Sequence, residues 1–177
     1  MFLYLAMIDS DADKSKFEIL YNEYKNLMYY TANRILRNSS DAEDAVHQAF
    51  LKVIEILDTI SSPRCHKTRA LLVTITEHKA IDLYREKQRR NVLPLAEEYI
   101  GAAPAAEIER LAERDTLAAA IASLPPRYRS VLLLRYDCGY SNAEIANILD
   151  TTEPNVRKLI QRAKEKLSAA LSEMEEP

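Results

Sequence analysis

A stretch close to the C-terminus carries side chains whose types and spacing fit nucleic-acid binding. In a helix that starts at Glu153, the outward face would carry Asn155, Arg157, Lys158, Gln161 and Arg162. Amide, guanidinium and ammonium groups bond base edges and phosphates in a major groove. The opposite face would carry the apolar residues Val156, Leu159, Ile160, Ala163 and Leu167. The spacing therefore predicts an amphipathic helix with a DNA-binding face; a solvated basic face on a packing helix is the alternative.

A shorter helical pattern comes just before this one and favours the DNA-binding interpretation. It covers residues 141–149, and a turn of only three residues, 150–152, joins it to the second helix. Two short helices joined in this way form a helix-turn-helix. Ser141 and Glu144 have the spacing of a capping box, and Thr152 can serve as the N-cap of the second helix. We therefore predict a helix-turn-helix whose DNA-binding surface also includes Ser141 and Thr152.

A second basic cluster lies at the end of a longer helical pattern, residues 68–90. Within this pattern, spacings of four, three, four and three place five residues on one face: Leu71, Ile75, His78, Asp82 and Arg85. The last six residues hold four cations, which are Arg85, Lys87, Arg89 and Arg90. A helix dipole favours cations at its C-terminal end, but four in six residues exceed that need. We therefore predict that this helix end contacts phosphates.

The helical pattern that begins at Asp41 has an acidic first turn. Glu43 and Asp44 follow Asp41, and a helix dipole favours carboxylates at this end. The same three side chains would equally leave a negative patch exposed to a basic partner. Another amphipathic pattern, residues 17–36, precedes this helix, and Ser40 or Asp41 is the expected N-cap between the two.

Composition sets the class of fold. Of 177 residues, 47% are hydrophobic, only two are glycine and none is tryptophan. Together with the long helical periodicities, this predicts an all-α fold of two small helical domains. The N-terminal domain should span residues 17–91, an acidic linker residues 92–114, and the helix-turn-helix domain residues 115–172.

Charge and cysteine content limit the function. The formal net charge is −3, so DNA contacts must come from local basic patches. The two cysteines lack the spacing of a zinc site, and the sequence has no phosphate-binding glycine loop or Ser/His/Asp group. We therefore predict no metal, no cofactor and no enzymatic activity. The apolar start, residues 1–8, is too short for a signal peptide or a membrane span, so we expect a cytoplasmic protein.

Four blocks, taken together, are typical of one family. The segments DAEDAVHQAF, AIDLYREKQRR and LPPRYRSVLLLRY occur in this order ahead of the helix-turn-helix. With both halves in view, the chain resembles the short two-domain bacterial RNA polymerase sigma factors, the extracytoplasmic-function group of the sigma-70-like family. The resemblance covers nearly everything from Phe17 to Leu171. The chain departs from the family's usual residues at Ala45, His47, Gln48, Leu71 and His78.

The resemblance implies a role in transcription initiation with three contact surfaces. The N-terminal domain would bind core RNA polymerase through Asp41, Asp44, His47, Gln48 and Phe50. It would meet the −10 promoter element through His78, Asp82, Arg85, Lys87, Arg89 and Arg90. The helix-turn-helix would read the −35 element of promoter DNA in the major groove. An inhibitor protein, an anti-sigma factor, is a further partner that the resemblance implies.

A stand-alone helix-turn-helix transcriptional regulator is the main alternative. Such a protein would use its C-terminal domain in a similar way and its N-terminal domain for dimerisation or ligand sensing. The acidic first turn at residues 41–44 and the basic helix end at residues 85–90 would then have no role. A protein that binds only other proteins is a further alternative, and DNA binding in the presence of polymerase distinguishes it from a sigma factor.

Overall fold

The computed structural model describes residues 1–90 and 116–175, and the predicted linker, residues 92–114, lies outside them. The described residues form helices and turns and contain no β-strand. They divide into two compact units, residues 1–90 and residues 116–175. The predicted all-α fold is therefore confirmed, and each unit has a small core of its own.

Four helices build the first unit: α1 (Phe2–Leu5), α2 (Asp11–Leu36), α3 (Ser39–Glu55) and α4 (His66–Arg90). A 3-10 turn, Leu57–Thr59, follows α3. Helices α2, α3 and α4 each pack against the other two, so they enclose one core. Its largest fully buried side chains include Phe17, Leu20, Met28, Phe50 and Leu72. Burial of such a side chain contributes about 1.5–3 kcal/mol, which makes this core the main stabilising feature of the unit.

Small side chains let the three long helices approach closely where α2 ends and α3 begins. Ala32, Ala42, Ala45 and Ala80 are fully buried against one another there. The larger side chains that pack around them are Tyr29, Ile35, Leu36, Val46 and Leu83. Because alanine carries only a methyl group, the helix backbones can come near each other. The first turn of α3 and the last turns of α4 are therefore close neighbours.

Two helices of this unit have caps that the sequence pattern did not identify. Helix α2 starts at Asp11, ahead of the predicted start, because the Ser10 hydroxyl accepts a backbone N–H of the first turn at 3.4 Å. Helix α3 is capped by Asn38, whose Oδ1 accepts the Asp41 backbone N–H at 3.1 Å. The expected caps, Ser40 and Asp41, lie inside the first turn instead. Neighbouring residues here all have capping side chains, so local pattern alone could not choose among them.

The N-terminal residues pack against the first unit. Tyr4 and Ile8 are only 8% and 7% exposed. The Tyr4 ring centroid lies between 5.4 and 5.9 Å from four other rings, those of Phe17, Tyr21, His47 and Phe50. Tilted aromatic pairs at such distances stabilise each other beyond the area they bury. This cluster holds α1 against α2 and α3, so the unit begins well before residue 17.

The second unit holds α5 (Thr116–Ser123), α6 (Pro126–Leu132), α7 (Asn142–Ile148) and α8 (Glu153–Glu175). A π-helical turn, Leu133–Asp137, continues α6. Helix α8 packs against α5, α6 and α7, so its buried side organises the unit. It also runs past Leu167, where its predicted apolar pattern ends. The added turns contain Ala169 and Ala170, and alanine has the highest helix propensity.

A buried cation joins the two helices that lead into the helix-turn-helix. Arg129 of α6 is 5% exposed, and its Nη1 donates to the Ala122 carbonyl of α5 at 3.0 Å. The last carbonyls of a helix have no partner within the helix. The guanidinium satisfies one of them across the sharp break at Pro125. We therefore propose that Arg129 stabilises this unit. The sequence did not predict this role, because Arg129 lies among residues that are usually exposed.

The segment between α6 and α7 leaves the helical path in an ordered way. The Cys138 N–H donates to the Leu133 carbonyl at 2.9 Å, which widens the turn to π-helical geometry. Gly139 follows with a φ of 81°, a conformation that residues with a Cβ rarely adopt. Arg135 Nη1 then donates to the Tyr140 carbonyl at 2.9 Å. These contacts fix the position at which α7 begins.

The turn of the helix-turn-helix is closed by backbone hydrogen bonds. Asp150 has a φ of 48°, and aspartate tolerates this left-handed conformation better than most residues do. The Thr151 N–H donates to the Ala146 carbonyl at 2.9 Å. Helix α8 begins directly after Thr152, whose carbonyl accepts the Val156 N–H at 3.0 Å. The predicted helix-turn-helix is confirmed.

The predicted capping box at the start of α7 is also present. Ser141 Oγ accepts the Glu144 N–H at 3.2 Å, and Glu144 Oε2 accepts the Ser141 N–H at 2.8 Å. The hydrogen bonds with Ser141 lower the pKa of Glu144 below its usual value of 4.5. The stabilising contribution of this carboxylate is therefore complete above about pH 4.5 and is lost as the pH falls through the lower, folded-state pKa.

Replacing Ser141 by alanine is expected to destabilise the second unit by about 0.5–2 kcal/mol at pH 7, because the cap of α7 loses its acceptor. Urea unfolding followed by circular dichroism measures the change. Ser168→Ala is the matched control, since Ser168 is exposed inside α8 and its substitution should leave the free energy of unfolding nearly unchanged. Equal unfolding curves for the two variants would show that the capping box does not stabilise the unit.

Candidate nucleic-acid interface

The predicted base-reading face of α8 lies at the surface. Val156 and Ala163 are fully buried and fix the rotation of the helix. All five polar residues of the predicted face are exposed: Asn155, Arg157, Lys158, Gln161 and Arg162. Ser141 and Thr152 are exposed too, at the starts of α7 and α8. The structure thus presents the seven predicted residues on one helix-turn-helix.

Three of these side chains are held by neighbours along the chain. The hydrogen bonds run from Arg157 Nη2 to Glu153 Oε1 (2.5 Å), from Gln161 Nε2 to Glu165 Oε1 (3.1 Å) and from Asn155 Nδ2 to Thr151 Oγ1 (3.4 Å). Lys158 and Arg162 form no ion pair with any described residue. Exposed pairs within a helix are worth only about 0.3–0.5 kcal/mol, so DNA can replace them at little cost.

The second predicted face follows α4 from the core to the surface. Leu71 and Ile75 are buried, His78 is half-buried, and Asp82 and Arg85 are exposed. The predicted stripe is therefore a single face of α4, which is buried at first and becomes exposed towards the C-terminal end of the helix. Arg89, which is exposed, is four residues beyond Arg85 and continues the same face. The Arg90 side chain lies outside the described part of the chain.

Lys87 does not belong to this face. It is two residues from both Arg85 and Arg89, and two residues turn a helix by about 200°, so it leaves α4 on the other side. There it forms an ion pair with Asp41 in the first turn of α3. The predicted DNA contact of Lys87 stays a prediction, on a different side of α4 from Arg85 and Arg89. The ion pair ties the end of α4 to the start of α3.

The exposed face of α3 is narrower than the sequence predicted. Asp44, His47 and Gln48 are exposed and share one side of the helix. Asp41 is largely covered, with a side chain only 14% exposed beside Lys87. The acid that remains fully available in this group is therefore Asp44.

Phe50 is a core residue, which corrects its prediction as a surface contact. Its side chain is fully buried, and its ring centroid lies 5.0 Å from that of Tyr21 and 5.7 Å from that of Phe17. Phe50 is two residues beyond Gln48, so it points to the opposite side of α3. Its neighbour in this cluster, Tyr4, has a hydroxyl 2.7 Å from Nδ1 of His47 in a hydrogen bond. Tyr4 was not assigned from the sequence, because the contact joins residues far apart in the chain.

The described ranges hold no group of three or more His, Cys, Asp or Glu side chains that could bind a metal ion. Cys65 and Cys138 are both free and half-buried. No helix within these ranges is long and apolar enough to cross a membrane. A helix-turn-helix with exposed amide and cationic side chains, in a chain whose other unit has a basic helix face of its own, is typical of a DNA-binding transcription protein.

Comparison with known proteins identifies the family. The model of sigma-70 region 2 matches residues 20–90, and that of sigma-70 region 4 matches residues 114–167. The ECF RNA polymerase sigma factor SigL of Mycobacterium tuberculosis is 26% identical over 165 residues, which are 92% of this chain and 93% of SigL. SigW of Bacillus subtilis is 26% identical over 174 residues, covering 92% of each chain. The solved complex of CnrH with the cytosolic domain of CnrY is 28% identical, covers 88% of this chain and 87% of that one, and has a TM-score of 0.39.

The two matched regions together span more than half of the chain, which belongs to the sigma-70 family, in its extracytoplasmic-function group. The protein is a sigma factor: it binds core RNA polymerase and promoter DNA and directs transcription initiation. Sigma factors are not enzymes, in agreement with the prediction. A stand-alone regulator is excluded, because such a protein would have no use for region 2.

Proposed function

We propose that the two units divide promoter recognition, the first meeting the −10 element through α4 and the second reading the −35 element through α8. One observation supports this proposal. Helix α4 in the first unit and helix α8 in the second each bury one side in the core and expose a polar face on the other. Leu71 and Ile75 anchor α4, and Val156 and Ala163 anchor α8. A face fixed in this way is pre-organised for DNA.

The α4 face is suited to opened DNA. Arg85 and Arg89 supply positive charge for phosphates, and Asp82 supplies a hydrogen-bond acceptor beside them. His78 lies half-buried at the inner edge of the same face, where a flat base can approach a flat ring. Unstacked bases are recognised by such combinations of stacking and hydrogen bonding. Lys87 is left out of this proposed face because it leaves α4 on another side, where it pairs with Asp41.

Run-off transcription with core RNA polymerase tests the division. Promoters that carry changes in either the −35 or the −10 element are combined with substitutions on α8 or on α4. We expect Arg157→Ala to alter the response to −35 changes alone, and Arg85→Ala to alter the response to −10 changes alone. If each substitution changed the response to both elements equally, the proposed division between the units would be wrong.

For core RNA polymerase we propose a docking face on α3 made of Asp44, His47 and Gln48. These side chains are exposed on one side of the helix, and the opposite side is buried in the core. Phe50 takes part indirectly by holding α3 in place. The Asp44 carboxylate suits a basic patch on the partner, since complementary charges steer association and fix its register.

Asp44→Lys is expected to weaken association with core RNA polymerase without unfolding the protein. An exposed acid in a first turn contributes only about 0.3–1 kcal/mol to its helix, whereas like charges facing each other at an interface cost several kcal/mol. Titration of labelled protein with core polymerase measures the affinity. Glu173→Lys, the same charge change on an exposed residue of α8, is the matched control. Unchanged affinity for Asp44→Lys would leave Asp44 with a role in its helix only.

Two further parts of the proposal concern the setting in which the protein works. Core RNA polymerase and promoter DNA are both cytoplasmic in bacteria, so we place the protein there. An anti-sigma factor is the inhibitor that the family assignment suggests. A pull-down of the tagged protein from its host, with bound proteins identified by mass spectrometry, tests for such a partner. Recovery of core polymerase subunits in the same experiment provides the internal standard.

A further inference from the structure

Two lysine–tyrosine pairs flank the second half of α8. Lys164 Nζ lies 5.3 Å from the centroid of the Tyr136 ring. Lys166 Nζ lies 5.8 Å from the centroid of the Tyr128 ring. Each ammonium is held by attraction to the face of an aromatic ring. Because two residues turn a helix by about 200°, the two pairs lie on opposite sides of α8.

The Lys164 pair continues a row of proposed DNA contacts. Arg157, Gln161 and Lys164 are spaced by four and three residues, so they share one side of the helix. Seven residues correspond to about 10 Å along a helix axis, and the major groove is about 12 Å wide. A helix that brings Arg157 to base edges therefore carries Lys164 towards the phosphates at the border of the groove.

The π-helical turn places Tyr136 at this border. Tyr136 is 60% exposed, although it belongs to a segment whose neighbour Leu134 is fully buried. Arg135 Nη1 donates to the Tyr140 carbonyl at 2.9 Å, which ties this turn to the start of α7 at Ser141. The Tyr136 ring contacts Lys164 of α8, and its neighbour Arg135 ties the same turn to the residue before Ser141, another predicted DNA contact.

Lys164 differs from its neighbours in the row by the group that holds it. Arg157 is bound by the carboxylate of Glu153, and Gln161 by that of Glu165. Lys164 rests on an uncharged ring and forms no ion pair with a described residue. A ring orients an ammonium without neutralising it, so the full positive charge remains available to an anion.

From these contacts we propose that Lys164 binds a phosphate of promoter DNA beside the −35 major groove, and that Tyr136 is a positioning residue that orients its ammonium. The proposal rests on the proposed role of α8 in reading the −35 element. A phosphate contact adds affinity but carries no sequence information directly. Loss of the contact should therefore weaken binding to all −35 sequences alike.

Lys164→Met tests the contact, since methionine keeps most of the aliphatic stem and removes the charge. Holoenzyme assembled from the full chain and core polymerase is titrated with promoter fragments at several salt concentrations between 50 and 200 mM. We expect the slope of log affinity against log salt to fall by about one, with equal losses on matched and mismatched −35 elements. Over this fourfold range of salt, the wild type should then lose about three- to fourfold more affinity than the variant.

Substitutions at Tyr136 test the positioning role. Tyr136→Leu should weaken binding in the wild-type background but not in Lys164→Met, because the ring acts through the ammonium. Tyr136→Phe keeps the ring and should bind as the wild type does. Lys166→Met, on the other side of α8, is the matched control and should leave the salt slope unchanged.

Three results would overturn the proposal. They are an unchanged slope for Lys164→Met, a loss of sequence preference for the same variant, and independent, additive effects of Tyr136→Leu and Lys164→Met. Arg157→Ala is assayed in parallel. It tells whether only the Lys164 contact is wrong, or whether the proposed reading of the −35 element by α8 is wrong as well. If Arg157→Ala alters −35 binding while Lys164→Met does not, α8 reads DNA without Lys164. If neither alters it, α8 does not contact the −35 element.

Discussion

Replacing Phe50 by alanine is expected to destabilise the first unit by about 3–5 kcal/mol. The side chain is fully buried, and its ring packs against those of Tyr4, Phe17 and Tyr21, with centroids 5.7, 5.7 and 5.0 Å away. The substitution removes the transfer free energy of the ring and leaves a cavity that three packed helices cannot close. Since the net stability of a domain is about 5–15 kcal/mol, a large part of it would be lost.

Phe2→Ala is the matched control, because the same atoms are removed from a side chain that is 86% exposed. Its effect should lie within about 0.5 kcal/mol of zero. Hydrogen exchange of peptides from α2, α3 and α4 in increasing urea reports on the first unit alone, and peptides from α8 serve as an internal reference. A similar cost for the two variants would mean that the aromatic cluster around Phe50 does not stabilise the unit.

Arg157→Ala and Lys158→Ala are expected to separate base reading from phosphate binding in the holoenzyme. The N-terminal residues of a recognition helix lie nearest the base edges, and both residues are exposed there. We expect at least one of them to read a base; the planar guanidinium of Arg157, which pairs with Glu153 Oε1 at 2.5 Å here, can make the bidentate contact that guanine offers. Loss of a bidentate base contact costs roughly 1–3 kcal/mol of discrimination at one base pair.

The assay uses a set of −35 variants that differ at single base pairs, at several salt concentrations. The variant that loses a base contact should relax preference at one position, while one that loses a phosphate contact should bind all sequences more weakly with a smaller salt slope. Lys166→Ala, a loss of the same charge elsewhere on α8, should change neither. A uniform loss for both Arg157→Ala and Lys158→Ala would place sequence readout outside α8.

The helix-turn-helix could be predicted from the sequence more completely than the first unit. The helix-turn-helix followed from local signals: the apolar spacing of α8, the capping box at Ser141 and the three-residue turn. Such signals involve residues within four positions of each other, where helix geometry alone fixes which side chains meet. The exposure of the polar face of α8, which we propose reads bases, was predicted for the same reason.

The first unit was predicted less completely, because its deciding contacts cross between helices. The periodicity of α3 fits an apolar stripe, but a stripe is defined only to within a residue or two at its edges. Phe50 belongs to that stripe, and its packing against α2 makes it a core residue rather than the surface contact that the family resemblance implied. Helix geometry alone puts Lys87 on another side of α4 from Arg85, but only the packing of α4 against α3 brings it beside Asp41.

By itself, the sequence determined the all-α class, the order of the long helices, the helix-turn-helix and the membership of the sigma-70 family. Each of these depends on short-range periodicity or on blocks of adjacent residues. Only the tertiary structure decided that Asp41 is covered by Lys87 and that Tyr4 binds His47, pairs separated by 46 and 43 positions. Contacts over such separations depend on how helices cross and rotate, and that is settled by the packing of the whole core rather than by any one segment.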